Sequence, residues 1–167
     1  AAALALGQTV RPLLPSRLSR KIPARQQPMA APVGQHTRKM LVLEGCVQRA
    51  ATPNTNAAAR RVLGKLGISL IDAAQAGCCG AVNYHLAAHA QGLDDMRRNI
   101  DAWWPYIESG AEAIVSSASG CGAMLVDYGR LLAADPAYAE KARRVSQLCR
   151  DLGEILLEED LGKLEIN

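Results

Sequence analysis

Apolar positions along the chain fall into three short continuous runs, each followed by a longer stretch with helical spacing. Lys39–Glu44 (K-M-L-V-L-E), Ile68–Ile71 and Ala113–Ser117 read as buried strands. After the first, Thr52 is placed to cap a helix, Pro53 to occupy its first position and Gly67 to close it. After the second, Asn83–Gln91 reads as helix. Leu93–Ile107 reads as another, with Leu93, Met96, Ile100, Trp103 and Trp104 on a mostly helical period, and Pro105 should bend or shorten it. After the third, a helix runs from about Ala123 to Ala134. A further one, started by Asp135-Pro136, covers Ala137–Arg150, and Leu152–Leu164 forms an amphipathic helical tail. Strands alternating with helices predict an α/β fold: a small, mainly parallel sheet with flanking helices and right-handed crossovers.

A length of 167 residues and 49% apolar content suit one domain with a real core. No run approaches the roughly 18 apolar residues of a membrane helix. The net charge of +3 is uneven: residues 1–43 carry seven Lys/Arg and no acid. The remainder is net acidic, so the folded part has no nucleic-acid signature. Residues 1–37, with Pro12, Pro15, Pro23, Pro28 and Pro32 among Arg11, Arg17, Arg20, Lys21 and Arg25, read as a Pro/Arg-rich linker or a segment docked on a neighbour. A short helix around Ser16–Lys21 fits there, and an organellar transit peptide shares the composition. The expected division is 1–37 linker, 38–151 cysteine-rich α/β domain and 152–167 helical tail.

The chemistry lies in the cysteines. Cys46 follows the first strand in Gly45-Cys46, Cys78 and Cys79 follow the second in Gly77-Cys78-Cys79-Gly80, and Cys121 follows the third in Gly120-Cys121-Gly122. Each site therefore falls past the carboxyl end of a strand, where open α/β sheets place their ligands. Neighbouring strands would bring the three sites together, and Gly45, Gly77, Gly80, Gly120 and Gly122 would let the loops approach closely. Four soft thiolates suffice for a cubane iron–sulfur cluster or for tetrahedral zinc. Thiol redox chemistry at Cys78-Cys79 is a third reading. Five cysteines without a secretory segment point to a reducing compartment. Cys149 reads as a packing residue in mid-helix. His85 and His89, at i and i+4, would share a helix face near the cysteine pair. Trp103 and Trp104 read as core plus partner surface, and Arg97 and Arg98 as a solvated face. No catalytic Ser–His–acid grouping and no phosphate loop are present, so no residue is assigned a catalytic role.

The G-C…C-C-G…G-C-G arrangement resembles the cysteine-rich CCG domain of heterodisulfide reductase subunits, anaerobic glycerol-3-phosphate dehydrogenase, and lactate and glycolate oxidases. Leu41–Gln48, Ala76–Ala81, Asn99–Trp104 and Ala118–Ala123 are most similar to the iron–sulfur subunit family of bacterial glycolate oxidases, a likeness running from about Arg38 to Asp160. In one departure, Ala118 stands where the general pattern has the first cysteine of a C-x-x-C, which favours a four-thiolate site over noncubane clusters. In the other, the ferredoxin-type motifs and second CCG unit of full-length relatives do not occur, so the chain reads as the first CCG unit of a longer protein. The resemblance implies an electron-transfer subunit carrying a cluster, 4Fe-4S in kind, on Cys46, Cys78, Cys79 and Cys121. It implies a flavin-bearing partner that holds the FAD and oxidises glycolate to glyoxylate, other oxidase subunits, and a cytoplasmic place at the inner membrane face through the complex.

Overall fold

The structure, a computed structural model, describes residues 2–27, 29 and 36–164. Pro28 and Pro32 of the proline-rich stretch lie outside the described residues. In chain order the elements are α1 (Ala2–Val10), α2 (Ser16–Ser19), β1 (Arg38–Val42), α3 (Gln48–Ala51), α4 (Pro53–Lys65), β2 (Ile68–Asp72), α5 (Ala81–His85) and α6 (His89–Glu108). Then come β3 (Ile114–Ser116), α7 (Ser119–Leu131), α8 (Ala139–Leu148), β4 (Cys149–Asp151) and α9 (Leu152–Glu158), with short 3₁₀ turns at Arg11–Leu13 and Leu161–Lys163.

The strands form one parallel sheet in the order β2-β1-β3-β4. Arg38–Val42 pairs in register with Ile68–Asp72, Leu41 with Ile114, and Ile114 with Cys149. Successive side chains of a strand face opposite ways, and β1 and β3 use both faces. Leu41, Leu43 and Ile114 point into a core with Met96, Ile100 and Trp103 of α6, Leu125 and Tyr128 of α7, and Val145 of α8. Met40, Ala113 and Val115 point the other way, onto Leu63 of α4 and Ile155 of α9. Helices thus cover both faces, and the buried parts of the inner strands, Met40–Val42 and Ile114-Val115, are unbroken apolar runs, as parallel sheets require.

Four local expectations are corrected. Ala137–Arg150 is not one helix: the chain leaves helical geometry at Cys149 (φ −67°, ψ 124°) and forms β4, so Cys149 lies on an edge strand. The stretch Asn83–Gln91 is likewise divided, because Ala87 takes a left-handed φ of 63° between α5 and α6. α7 starts at Ser119 rather than Ala123, which puts Cys121 in its first turn. Thr52 precedes α4 as expected, but its side chain makes no capping hydrogen bond. α6 runs through Pro105 and stops at Glu108, one turn later. In the basic N-terminal stretch, the Arg11 guanidinium donates to the carbonyls of Ser19 (3.2 Å) and Ile22 (3.0 Å).

The start of α9 is fixed by a reciprocal cap: Asp151 Oδ1 accepts from the Gly153 amide at 2.7 Å and the Asp151 amide donates to Glu154 Oε2 at 2.9 Å. Asp151→Ala removes half of it. An expected loss of about 1 kcal/mol should lower the thermal midpoint by about 2–4 °C, checked by calorimetry.

Candidate metal centre

β1, β2 and β3 lie side by side and all run the same way, so the loops leaving their carboxyl ends converge. The loop after β1 brings Cys46, the loop after β2 brings Cys78 and Cys79, and the start of α7 brings Cys121. All four border one cavity of about 330 Å³. Its walls also include Gly45, Val47, Gln48, Val82, His85 and Ala118. Cys46 Sγ lies 3.6 Å from Cys78 Sγ, Cys78 is hydrogen-bonded to Cys79, and Cys79 to Cys121. Cys79 is buried while the other three are half-buried, and none forms a disulfide.

Backbone amides are directed at three of these sulfurs: Val47 at Cys46, Gly80 at Cys78 and Ala81 at Cys79. Each favours the thiolate, but larger effects oppose them. Burial, then the Cys78 thiol, raises Cys46 above its ordinary value. The hydrogen bond with Cys79, then burial, raises Cys78. The hydrogen bond to Cys121 is the first cause that pushes Cys79 up to about 11. The same bond lowers Cys121, which accepts it.

The glycines serve unequally. Gly80 has φ +86°, and a Cβ there would sit 2.6 Å from the Gly92 carbonyl oxygen. A Cβ on Gly77 would meet the Arg98 guanidinium at 2.8 Å, and one on Gly45 would meet Gln48 Oε1 at 2.9 Å. Gly122 has only ordinary contact with Ser116, and nothing lies near Gly120. Sterics therefore require glycine most at Gly80. Gly92, which the sequence reading passes over, belongs with it: a Cβ there would lie 2.9 Å from Tyr84 Cβ and 3.0 Å from its amide nitrogen.

Behind the cysteine pair stands a buried polar group that has no sequence signal beyond the identity of its residues. Asn99 Oδ1 accepts from the Gly77 amide at 2.7 Å. Its Nδ2 donates to the Cys78 carbonyl at 2.8 Å and to the Tyr128 hydroxyl at 3.1 Å. Tyr128 donates in turn to the Cys79 carbonyl at 2.9 Å. On the Cys46 side, Gln48 Nε2 donates to Ser117 Oγ at 2.9 Å, Ser117 donates to Asn56 Oδ1 at 2.6 Å, and Gln48 Oε1 is buried without a partner.

Other candidates resolve differently. His85 and His89 lie on separate helices and each makes an edge contact with Tyr84, with ring centroids 6.1 and 4.6 Å from it; of the two, His85 alone borders the cavity. Trp103 is fully buried, whereas Trp104 is half-buried with Lys141 Nζ 5.2 Å from its ring centroid. Arg97 is more than a solvated residue: it bridges Asp94 and Asp135. Arg98 pairs with Asp95 and rests against Gly77. Cys149 Sγ faces the Gly122 carbonyl at 3.7 Å, and burial, then Glu154 and Asp151, pushes its thiol up to about 11.

The donor set suits a compact polythiolate centre. A tetrahedral zinc with Zn–S of about 2.3 Å holds its sulfurs about 3.8 Å apart, near the Cys46–Cys78 spacing. Yet among the described residues no three His, Cys, Asp or Glu side chains are gathered as a single-ion site. A cluster that takes one thiolate per iron needs the four to surround a volume instead.

Residues 40–126 match the family described as CCG, the cysteine-rich domain. The chain is 54% identical over 162 residues to the glycolate oxidase iron-sulfur subunit of Escherichia coli, covering 96% of this chain and 40% of that protein. It is 27% identical over 134 residues to the probable glycolate oxidase iron-sulfur subunit of Bacillus subtilis, covering 80% and 30%. Lactate utilization protein A of Bacillus licheniformis is 30% identical over 89 residues, covering 51% and 35%. The chain thus spans less than half the length of each of these relatives. No solved structure matches it.

Proposed function

The chain belongs to the cysteine-rich CCG domain family, and from that premise we propose that it is the cluster-bearing part of an electron-transfer subunit of a glycolate oxidase. One observation carries the reading: four cysteines from three separate strand ends border a single cavity. An iron–sulfur cluster held there would supply reversible one-electron acceptance.

Cys46, Cys78, Cys79 and Cys121 are the proposed ligands. A cubane 4Fe-4S cluster is the proposed type, supported by the count of four and by Ala118 at the cavity wall. The Val47, Gly80 and Ala81 amides would hold negative charge on the bound sulfurs. The apolar side chains of Val47 and Val82 at the cavity would limit water access. Raised Cys46, Cys78 and Cys79 thiols must lose their protons on loading.

The remaining proposals concern the larger assembly. A flavin-bearing subunit, with the FAD, would oxidise glycolate to glyoxylate and pass electrons here, and other oxidase subunits would complete the complex. Cytoplasmic, peripheral attachment through the complex is part of the same proposal; the described residues contain no helix long and apolar enough to cross a membrane. In this reading residues 38–151 form the CCG unit, 1–37 link it to what precedes, and 152–167 lead towards a second CCG unit. Ile155 of that last segment packs under the sheet.

A zinc-held docking module is the second reading, favoured by the 3.6 Å Cys46–Cys78 spacing alone. Anaerobic purification with iron, sulfide and zinc measured per chain separates the two. Equal iron and sulfide with broad visible absorbance is the expected result. Zinc without sulfide would overturn the cluster.

A further inference from the structure

We infer that Asn99 and Tyr128 are positioning residues for the metal centre, holding the Cys78-Cys79 backbone from behind so that its amides and thiols face the cavity. This rests on the proposed thiolate ligation but concerns residues that do not touch the centre.

Both side chains are fully buried. A buried amide is costly unless its groups are bonded, and this one is fully used: one oxygen accepts, and two N–H groups donate. The partners fix which way it points, since Gly77 N–H can only donate and the Cys78 carbonyl can only accept. Tyr128 receives one bond from Asn99 and passes one to the Cys79 carbonyl. Three consecutive residues of the loop are thereby tied to α6 and α7.

A leucine at position 99 would fill much the same space, so packing alone does not call for an amide. The polar pair has a directional effect. With the carbonyls of Cys78 and Cys79 turned towards the core, the amides of the same two peptide planes, Cys79 and Gly80, point the other way, and the Gly80 amide is left directed at the Cys78 sulfur. Such N–H donors set how much negative charge the sulfurs carry, and hence the potential of a cluster. Released carbonyls would let those peptide planes rotate and put oxygen where a donor is needed.

The test compares the full chain with Asn99→Leu and Tyr128→Phe. In the metal-free chain, exchange of the Gly80 amide, which shares its peptide plane with the Cys79 carbonyl, should quicken roughly tenfold in Tyr128→Phe, as the bond holding that carbonyl is lost, and Gly77 should follow in Asn99→Leu. In the loaded chain, iron release to a chelator should quicken roughly 10–100-fold, as when an outer-shell partner is removed. The midpoint potential should fall, and the electron paramagnetic resonance signature of the reduced centre should change. Should Asn99→Leu fail to fold, Tyr128→Phe, which removes a single hydroxyl, carries the test. Wild-type exchange, release, potential and resonance signature in a folded Tyr128→Phe would overturn the inference, even with a lowered thermal midpoint. A wild-type chain that binds zinc alone would overturn the cluster reading, while the exchange rates of the metal-free chain still decide the positioning role.

Discussion

Cys78→Ser is expected to lower bound iron by at least about tenfold while the chain remains folded. A hydroxyl is a harder and less acidic donor than a thiol, and loss of a direct ligand should exceed the roughly 10–100-fold effects of outer-shell changes. Cys78 is half-buried and gives little to the core, so far-ultraviolet dichroism should be unchanged. Cys149→Ser is the matched control. Its sulfur faces the Gly122 carbonyl from the edge strand and does not border the cavity, so iron per chain should match the wild type. Unchanged iron in Cys78→Ser, or equal loss in Cys149→Ser, would remove the ligand assignment.

Gly80→Ala should be the most damaging small substitution at the site. The residue has a left-handed φ of +86°, which costs an L side chain about 1–2 kcal/mol. The new Cβ would also lie 2.6 Å from the Gly92 carbonyl oxygen, a backbone atom that cannot swing aside. A total loss of about 2–4 kcal/mol follows. Urea unfolding should show it as a lower midpoint with an unchanged slope. Gly120→Ala, where a Cβ meets nothing, should leave the midpoint near the wild type. A Gly80→Ala midpoint equal to that of Gly120→Ala would show that the close approach does not constrain the loop.

What could be read from the sequence followed the physics of each segment. β1, β2 and β3 announce themselves as apolar runs, and their parallel order follows from the helices between them. That alone brings Cys46, Cys78, Cys79 and Cys121 to one end of the sheet. β4 was hidden because Val145, Leu148, Leu152 and Ile155 keep a helical spacing straight through Cys149-Arg150-Asp151. The break is marked by the Asp151–Glu154 cap, two polar residues easily taken for helix surface. The division between His85 and His89 has no Gly or Pro to signal it, since the positive φ falls on Ala87, a residue that rarely adopts it. The early start of α7 was masked by Gly120 and Gly122, which are poor helix formers. Asn99 and Tyr128 stand 29 residues apart on different helices, a distance at which no periodicity relates them.

The two hydrophobic layers bear unequally on the cysteines. Cys79 is part of the layer beneath α6, α7 and α8, and Cys121 and Cys149 pack against it, whereas the layer between the sheet, α4 and α9 contains no cysteine. The candidate thiolates are thereby anchored in the α6–α8 layer through Cys79 and Cys121, so that a change of state at the cavity meets that layer directly and meets the α4–α9 layer indirectly, through the Gln48–Ser117–Asn56 hydrogen bonds.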